Sequence, residues 1–191
     1  GRLFVADPLA MNSPQRMNVA LTLTAAPPPT ALAAWGRNVE GQCTVPAGLS
    51  NAAGVAGGYY HSIAVRADGT VTAWGGGGSG QTNVPADLTN AAQVAAGFLH
   101  SMALRLDGTV TAWGNNGNGQ CNVPADLTNA VAIAAGFVHS LAVRSDGTVA
   151  AWGRTNDNQC AVPGWLTNAV AAAGGFGHTL ALRSDGTVAA W

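Results

Sequence analysis

Apolar and polar residues alternate over short runs of the chain, and these runs return at a fixed interval. Residues 61–75 contain two such runs separated by Asp68-Gly69, and the pattern returns at 100–114, 139–153 and 178–191, each time 39 residues further on. Alternation with period two predicts half-buried β-strands. Asp-Gly between two alternating runs predicts a hairpin closed by a type I′ turn, because that turn needs positive φ at both central residues. Each unit is therefore predicted to contain a β-hairpin.

A further strand is predicted before each hairpin, where an apolar run such as Ala130–Ala135 ends at a glycine. A fourth short strand is predicted near the Val-Pro pair that each unit carries, as at Val45-Pro46. Helical repeats of similar length require apolar residues at helical spacing, which the units lack. Four short strands in about 40 residues are typical of a β-propeller blade. The predicted fold class is all-β, a β-propeller of four-stranded blades with about four blades present.

The start of the chain does not fit the repeat. Residues 17–24 alternate and Leu3–Ala6 is an apolar run, which predicts two paired strands. Two strands cannot bury a core alone, so they either belong to an upstream domain or pack against the repeats. Pro27-Pro28-Pro29 predicts an extended linker. The predicted domains are 1–26, the linker 27–29, and propeller repeats over 30–191, which begin with the last strand of one repeat.

Composition excludes several classes of partner. Only 9% of the residues are charged and the formal net charge is −1, with the arginines spread about once per repeat. Binding to nucleic acid requires a concentrated basic surface, so no nucleic-acid partner is expected. The chain also lacks an apolar run of the roughly 20 residues that a membrane helix needs, so no membrane insertion is expected.

The four histidines are the most evident candidates for chemistry, because one repeated position could bring imidazoles together around a metal. Equivalent residues on neighbouring blades are expected about 10 Å apart, which is too far for one metal ion. Each histidine is therefore predicted to satisfy backbone groups beside its glycine-rich bend. Ser62 follows His61 directly and points to the opposite face of the strand, so the histidine cannot activate it. No catalytic residue, metal site or cofactor is predicted.

Cysteine occupies one repeat position in three units, and Thr82 occupies it in the other. Neighbouring blades rarely bring two equivalent Cα atoms within the roughly 7 Å that a disulfide requires. Cys43, Cys121 and Cys160 are therefore interpreted as small, partly buried thiols. Unpaired thiols are disfavoured in an oxidising compartment, so these cysteines are evidence against a secreted protein.

The functional prediction is based on the positions at which the repeats differ from one another. The periodic tryptophans are predicted to pack between blades, whereas Trp165 aligns with Gly48, Asp87 and Asp126 and is a candidate contact for a partner or a sugar. Units also differ in the pair of residues before each histidine and in the loop after each Ala-Trp-Gly, and loops on a rigid scaffold are common binding sites. A lone Asp157 offers too few carboxylates for calcium. The candidate binding residues are Tyr59, Tyr60, Phe98, Phe137, Phe176, Trp165, Arg37, Arg154, Asn115, Asn116 and Asp157.

The repeat resembles that of the regulator of chromosome condensation family. The resemblance lies in Gly-x-x-His-Ser, Ala-(Leu/Val)-Arg-x-Asp-Gly-Thr-Val-x-Ala-Trp-Gly, Gly-Gln and Val-Pro, and it covers residues 30–191. The Gln-x-x-Val-Pro variant is more similar to bacterial members, which include secreted propeller-type beta-lactamase inhibitors. The family implies a seven-bladed ring, which is longer than this chain. Either the chain is a fragment, or copies associate to complete the ring.

A second resemblance concerns the first 26 residues. Asn12-Ser13-Pro14-Gln15 followed by Val19-Ala20-Leu21-Thr22-Leu23 is similar to the last hairpin of a BACON-type bacterial immunoglobulin-like domain. Such domains occur in secreted or surface proteins. This resemblance implies an extracellular or cell-surface location.

The function expected is a non-catalytic, protein-binding propeller module of a larger secreted or surface bacterial protein, with contacts through the loops after each Ala-Trp-Gly. The family implies protein partners, as in nucleotide exchange on a small GTPase or in beta-lactamase inhibition. Neither activity can be carried over, because the wedge of the exchange factor has no counterpart in these uninterrupted repeats and the inhibitor's contacts lie at variable positions. The alternatives are a structural or adhesive spacer, and a carbohydrate-binding or hydrolytic accessory domain.

Overall fold

The computed structural model describes residues 3–6, 18–21 and 32–191. Within these residues every regular element is a β-strand, and the strands form five antiparallel sheets of three strands each. The all-β prediction is confirmed. The described part contains no helix long and apolar enough to cross a membrane.

Four of the sheets are the predicted blades, and each follows the order of the sequence. The first blade is β4 (Ala52–Gly57), β5 (His61–Arg66) and β6 (Val71–Gly75), and the second is β7 (Ala91–Ala96), β8 (His100–Arg105) and β9 (Val110–Gly114). The third blade is β10 (Ala130–Ala135), β11 (His139–Arg144) and β12 (Val149–Gly153), and the fourth is β13 (Ala169–Gly174), β14 (Thr179–Arg183) and β15 (Val188–Ala190).

The hairpin between the second and third strands is confirmed, but its predicted turn type is wrong. Gly69 has φ of 81°, whereas Asp68 is not among the residues with positive φ. The Gly69 amide bonds to the Arg66 carbonyl, so Ala67 lengthens the loop beyond the two residues of a type I′ turn. Asp68 instead accepts hydrogen bonds from the Thr70 amide and hydroxyl at 2.9 and 2.6 Å.

The fourth strand predicted near each Val-Pro does not form, and each blade has three strands in the part of the chain that is described. The chain makes local turns there instead, in which the Val45 amide bonds to the Cys43 carbonyl and the Leu49 amide to the Pro46 carbonyl, both at 3.1 Å. Pro46 has no amide proton to donate to a sheet ladder. Local bonds therefore replace sheet pairing along this segment.

The hydrophobic cores lie between blades. Between the first and second blades, Ile63 and Val65 of β5 pack with Val94, Ala103 and Trp113. The same arrangement recurs at the next two interfaces. The prediction that the periodic tryptophans pack between blades is confirmed at Trp74, Trp113 and Trp152, which are buried. The first three blades thus each contribute to two cores, one on each side, and the fourth contributes to one.

The remaining sheet consists of β1 (Leu3–Ala6), β2 (Asn18–Leu21) and β3 (Leu32–Ala33). The predicted pairing of the first two strands is confirmed, with Leu3 opposite Leu21 and Ala6 opposite Asn18. The second strand also pairs with β3, and the first two strands contact β4 of the first blade. The linker 27–29 lies outside the described residues, and the assignment of residues 1–26 to an immunoglobulin-like domain stays a prediction.

Candidate functional site

The two variable parts of the repeat meet at one end of the blades. The loop after each Trp-Gly is anchored to the residue before the histidine, because the Gly76 amide donates to the Tyr60 carbonyl at 2.8 Å and the Asn115 amide donates to the Leu99 carbonyl at 2.8 Å. The Arg154 amide makes the same bond to the Val138 carbonyl at 3.0 Å. We call this end of the blades the aromatic face, and the end with the Asp-Gly turns the hairpin face.

A continuous row of aromatic rings crosses the aromatic face. Tyr59 lies 5.1 Å from Phe98, Phe98 stacks on Phe137 at 4.1 Å with 20° between the planes, and Phe137 lies 4.4 Å from Phe176, measured between ring centroids. We call Tyr59, Phe98, Phe137 and Phe176 the aromatic row. Its two end rings are exposed and the two central rings are half-buried. The structure therefore brings together four candidates that are separated by 39 residues in sequence.

Glycine bends bring the rings this close. The Phe98 amide bonds to the Phe137 carbonyl, and the Tyr59 amide to the Gly97 carbonyl, so the bends of successive blades are joined through their backbones. A Cβ at Gly58 would collide with the His61 ring and with the Gly97 carbonyl, so only glycine fits. The expected spacing of about 10 Å between equivalent residues is wrong here, because it describes packed sheets and not these bends.

Tyr60 sits at one corner of the aromatic face beside two charged groups. The Arg37 guanidinium lies 5.3 Å from the centroid of the Tyr60 ring and forms an ion pair with Glu40. This hydrogen-bonded guanidinium lowers the pKa of the Glu40 carboxyl. A cavity of about 250 Å³ opens next to the pair, lined by Glu40, Tyr60, Ser79, Leu99 and the surrounding glycine loop. The candidates Arg37 and Tyr60 are therefore in contact with one another.

The other loop candidates lie on the same face, but some of their polar groups are used inside the loops. Arg154 pairs with Asp157 at 3.2 Å. The Asn115 side-chain oxygen accepts from the Gly117 amide and from the Gln120 side chain. The Asn116 side-chain oxygen accepts from the Cys121 amide at 2.8 Å. The two asparagines therefore stabilise the conformation of their own loop.

Trp165 lies apart from the other candidates, on the hairpin face. Its ring centroid is 5.7 Å from the guanidinium carbon of Arg183, which belongs to the strand end next to the Asp-Gly turn. In the second blade the equivalent position is Asp87, which forms an ion pair with Arg105 at 2.8 Å. Trp165 replaces this ion pair by a cation–π contact. One binding surface cannot use both Trp165 and the aromatic row.

Sequence reasoning missed a hydrogen-bond network that joins neighbouring blades. His61 Nε2 lies 2.9 Å from Ser101 Oγ of the next blade, and the pairs His100–Ser140 and His139–Thr179 repeat the contact at 3.1 Å. The hydroxyl and the tryptophan indole of each blade both donate to one glutamine carbonyl, as with Gln81. We call this repeated set of His, Ser or Thr, Gln and Trp the seam. The prediction that the histidines bind backbone groups is wrong, since their partner is a side chain 40 residues away.

The seam has the wrong proton arrangement for nucleophilic catalysis. Ser101 has one hydroxyl proton, which it donates to the Gln81 carbonyl at 2.8 Å, so His61 Nε2 must be the donor in its bond to Ser101. A base would need a free electron pair at that nitrogen. Burial lowers the pKa of His61 to about 4, which keeps the ring neutral at pH 7. The seam therefore connects blades as a structural element.

The cysteines are thiols held inside their own loops. Cys121 Sγ lies 3.3 Å from the Asn115 carbonyl, and Cys160 Sγ lies 3.1 Å from the Arg154 carbonyl. All three cysteines are free and half-buried, as predicted. Burial raises the pKa of Cys121 and of Cys160 to about 11, so little reactive thiolate forms at neutral pH. Among the described residues, no group of three His, Cys, Asp or Glu side chains could hold a metal ion.

The repeat also matches a known family. Residues 53–81, 91–120 and 130–160 match the family model described as Regulator of chromosome condensation (RCC1) repeat. No curated protein matches the chain.

Solved structures show the same fold. The ectodomain of the receptor kinase CR4 from Physcomitrella patens has 22% identity and a TM-score of 0.75, with 92% of this chain and 49% of that chain covered. Prp20p from Saccharomyces cerevisiae has 21% identity and a TM-score of 0.70, with 91% and 55% covered. Human WBSCR16 has 21% identity and a TM-score of 0.63, with 73% and 48% covered. The chain thus spans about half the length of these structures.

Proposed function

The chain is a repeat protein of the regulator of chromosome condensation type, and from this we propose that it is a non-catalytic module that binds another protein through its aromatic face. The observation that carries the proposal is the meeting of the aromatic row with the loops after each Trp-Gly. These two parts of the repeat differ most in sequence between units, although every unit forms the same kind of blade. Variation on a rigid scaffold is the pattern expected of a binding surface.

The chemistry of the face fits a protein partner. It combines Tyr and Phe rings with loops of Gly, Ser and Asn, and an Arg-acid ion pair at each end. Aromatic residues and arginine dominate the binding energy of protein interfaces. Tyr, Ser, Gly and Asn are also the residues that antibody loops use, because they combine rigid contact area with adaptable hydrogen bonds.

The similar structures are compatible with this proposal. Prp20p binds Gsp1p and histones, and the same yeast protein has been solved with Kap60 bound. These partners belong to Prp20p, and at 21% identity the likeness supports the fold alone. We therefore name no partner from them.

The geometry favours a protein over a carbohydrate. A sugar would stack on an open aromatic face, but Phe98 and Phe137 stack on one another at 4.1 Å. Their free edges can make edge-to-face contacts with aromatic side chains of a protein. A structural spacer would have no use for the sequence variation at the aromatic face. Failure to find any binding partner would favour the spacer role.

We also propose that the module belongs to a larger secreted or cell-surface bacterial protein. The three free thiols are the main objection to this location. Their burial and raised pKa values reduce the objection, because disulfide formation requires the thiolate. Fractionation of cells that express the protein, with the protein found only in the cytoplasm, would contradict the proposal.

Self-association is the second kind of contact that we propose. The apolar side chains of Leu182 and Val188 are exposed on the fourth blade, whereas their equivalents in the third blade are buried. Exposed apolar surface of this kind favours association. Size-exclusion chromatography with light scattering would give the oligomeric state, and a monomer at every concentration would contradict it.

Partner binding is best tested with substitutions that the repeat itself already tolerates. Tyr60→Leu places in the first blade the residue that the second blade has at Leu99, so the fold should accept it. We expect at least about tenfold weaker binding to a partner captured from the native host, because tyrosine is a frequent hot-spot residue. The matched control is Trp165→Asp on the hairpin face, which copies Asp87 and should leave binding unchanged. Equal loss in both variants, or no loss in Tyr60→Leu, would contradict the assignment of the aromatic face.

A further inference from the structure

One loop on the aromatic face leaves a cavity because its residues 76–80 are Gly-Gly-Gly-Ser-Gly. We call the space of about 250 Å³ lined by Glu40, Tyr60, Gly76, Gly78, Gln81 and Leu99 the loop cavity. In the next two units, Asn115 and Arg154 stand at the position of Gly76. Gly76 is not among the residues with positive φ, and its amide makes the same backbone bond as the Asn115 amide. The cavity is therefore a feature of this unit's sequence and not a requirement of the fold.

Two hydrogen-bond donors at the loop cavity have no partner among the described residues. Gln81 is 1% exposed, and its Oε1 accepts from the Ser79 amide at 2.9 Å, which fixes the orientation of the side-chain amide. Its Nε2 donates to no described group, and neither does the Gly78 amide. The Nε2 of Gln159 also lacks a partner but is fully buried, whereas Gln81 lines the cavity. Buried donors of this kind cost free energy unless another group binds them.

The next unit shows which chemical group these donors accommodate. There, Asn115 Oδ1 accepts from the Gly117 amide at 3.1 Å and from Gln120 Nε2 at 2.9 Å. Gly117 and Gln120 stand 39 residues after Gly78 and Gln81, at the equivalent positions. The side-chain carboxamide of Asn115 thus occupies, in its own unit, the place that Gly76 leaves open.

Glu40 supplies an acceptor at the same cavity. Its Oε1 accepts from Arg37 Nη2, and its Oε2 accepts from Arg37 Nη1 and from Gln42 Nε2. A carboxylate has sites for about four hydrogen bonds, so a further N–H can donate to it. A carboxylate ligand has no proton to donate to Glu40 and carries the same charge, whereas a carboxamide is neutral and has both a donor and an acceptor.

We propose that the loop cavity binds a side-chain carboxamide of the protein partner, from an asparagine or a glutamine. Its oxygen accepts from the Gly78 amide and from Gln81 Nε2, and its NH2 group donates to the Glu40 carboxylate. Tyr60 and Leu99 line the same cavity and provide apolar surface for the methylene groups of that residue. The proposal rests on the protein-binding function proposed above and specifies one contact within it.

Acetamide tests the cavity without any protein partner. In proton–nitrogen correlation NMR of the unmodified chain, acetamide should shift the resonances of the Gly78 amide and of the Gln81 side-chain NH2. Acetate has nearly the same shape and a negative charge, and it should shift them much less. The Gly117 amide should not respond, because Asn115 already binds it. No acetamide shift at Gly78, or an equal response to acetate, would overturn the proposal.

A substitution at Gly76 fills the cavity with a group that the repeat already uses. Gly76→Asn copies Asn115 and should abolish the acetamide shift, because its own carboxamide takes the place of the ligand. Gly76→Ala is the matched control, which adds a Cβ without a carboxamide and should keep the shift. An unchanged response in Gly76→Asn would contradict the proposal. If that variant does not fold by circular dichroism, Asn115→Gly is the reverse test, and the Gly117 amide must then respond to acetamide.

Partner binding is a separate readout. Gly76→Asn should weaken binding to the captured partner, and Gly76→Ala should weaken it less. Loss of binding in Tyr60→Leu with full binding in Gly76→Asn would overturn the carboxamide contact and leave the aromatic face as the binding surface. An acetamide response that Gly76→Asn abolishes, in a chain for which no protein partner is found, would support the cavity and contradict the protein-binding function.

Discussion

The third and fourth blades have nearly the same sequence pattern and very different surroundings. His139 is buried between two blades, whereas its counterpart His178 is exposed. Leu141 is fully buried and its counterpart Leu180 is not. The hydrogen bond from His139 to Thr179 also needs a following blade. The comparison teaches that each hydrophobic core is formed by two neighbouring blades. How much a residue stabilises the fold therefore depends on whether a neighbouring blade covers it.

Acid should have the largest effect on stability, and it should act through the buried histidines. Burial lowers the pKa of His61 and His139 to about 4, and burial with the neighbouring histidines lowers that of His100 to about 3. The unfolded chain takes up these protons below about pH 6.5, while the folded chain does not. Stability should therefore fall from about pH 6.5 to about pH 4, by on the order of 3 kcal/mol for each histidine.

Urea unfolding between pH 7.5 and pH 4.5 measures this loss. The pKa values of Asp68, Asp107, Asp146 and Asp185 are lowered by hydrogen bonds from the following threonines, so their contribution is lost mainly below that range. His139→Gln should reduce the pH dependence, because it removes one of the three buried imidazoles whose pKa values are lowered. Constant stability between pH 7 and pH 5 would contradict the assignment.

Truncation of the equivalent leucines should give the next largest difference. Leu141→Ala leaves a cavity in a buried core and should cost about 2–5 kcal/mol of unfolding free energy. Leu180→Ala removes the same atoms from an exposed position and should cost about 0.5 kcal/mol. Chemical denaturation, at a protein concentration low enough to keep the chain monomeric, measures the unfolding free energy of both variants. Equal losses would show that the fourth blade is covered even in the monomer.

The glycines of the Asp-Gly turns should give a smaller contrast. Gly147 and Gly186 have φ of 80° and 82°, so alanine is strained at both, by about 1 kcal/mol. A Cβ at Gly147 would in addition collide with the Thr167 carbonyl of the following blade, whereas the space beside Gly186 is open. Gly147→Ala should therefore lower the melting temperature more than Gly186→Ala. The reverse order would contradict the role of the turn in joining blades.

The sequence predicted those features that depend on neighbouring residues along the chain. Alternation and Asp-Gly predicted the hairpin of β5 and β6, and the fixed period predicted identical blades. The type of turn was wrong because Ala67 lengthens the loop, which the Asp-Gly signal does not reveal. The missing fourth strand has a similar cause, since local turns around Pro46 compete with sheet pairing.

The candidate functional site is formed by contacts between residues of different repeats, and such contacts were harder to predict from the sequence. Tyr59 and Phe98 were both candidates, but their approach to 5.1 Å follows from glycine bends whose backbones bond across blades. The seam was missed because His61 was considered with the adjacent Ser62, and its partner is Ser101 in the next unit. The recurrence of His followed by Ser or Thr was the signal available. Trp165 was placed with the other candidates because sequence comparison does not show on which face a loop lies.

The placement of the cores between successive blades also has a consequence for synthesis on the ribosome. The main contacts between sheets join blades that follow one another in the chain. At about 5–20 residues per second, a repeat emerges every few seconds, which is slow compared with the milliseconds to seconds in which β domains fold. Each new blade can therefore dock on a preformed template before the next one appears. Assembly proceeds in one direction, and the growing end always presents an uncovered apolar surface to the cell.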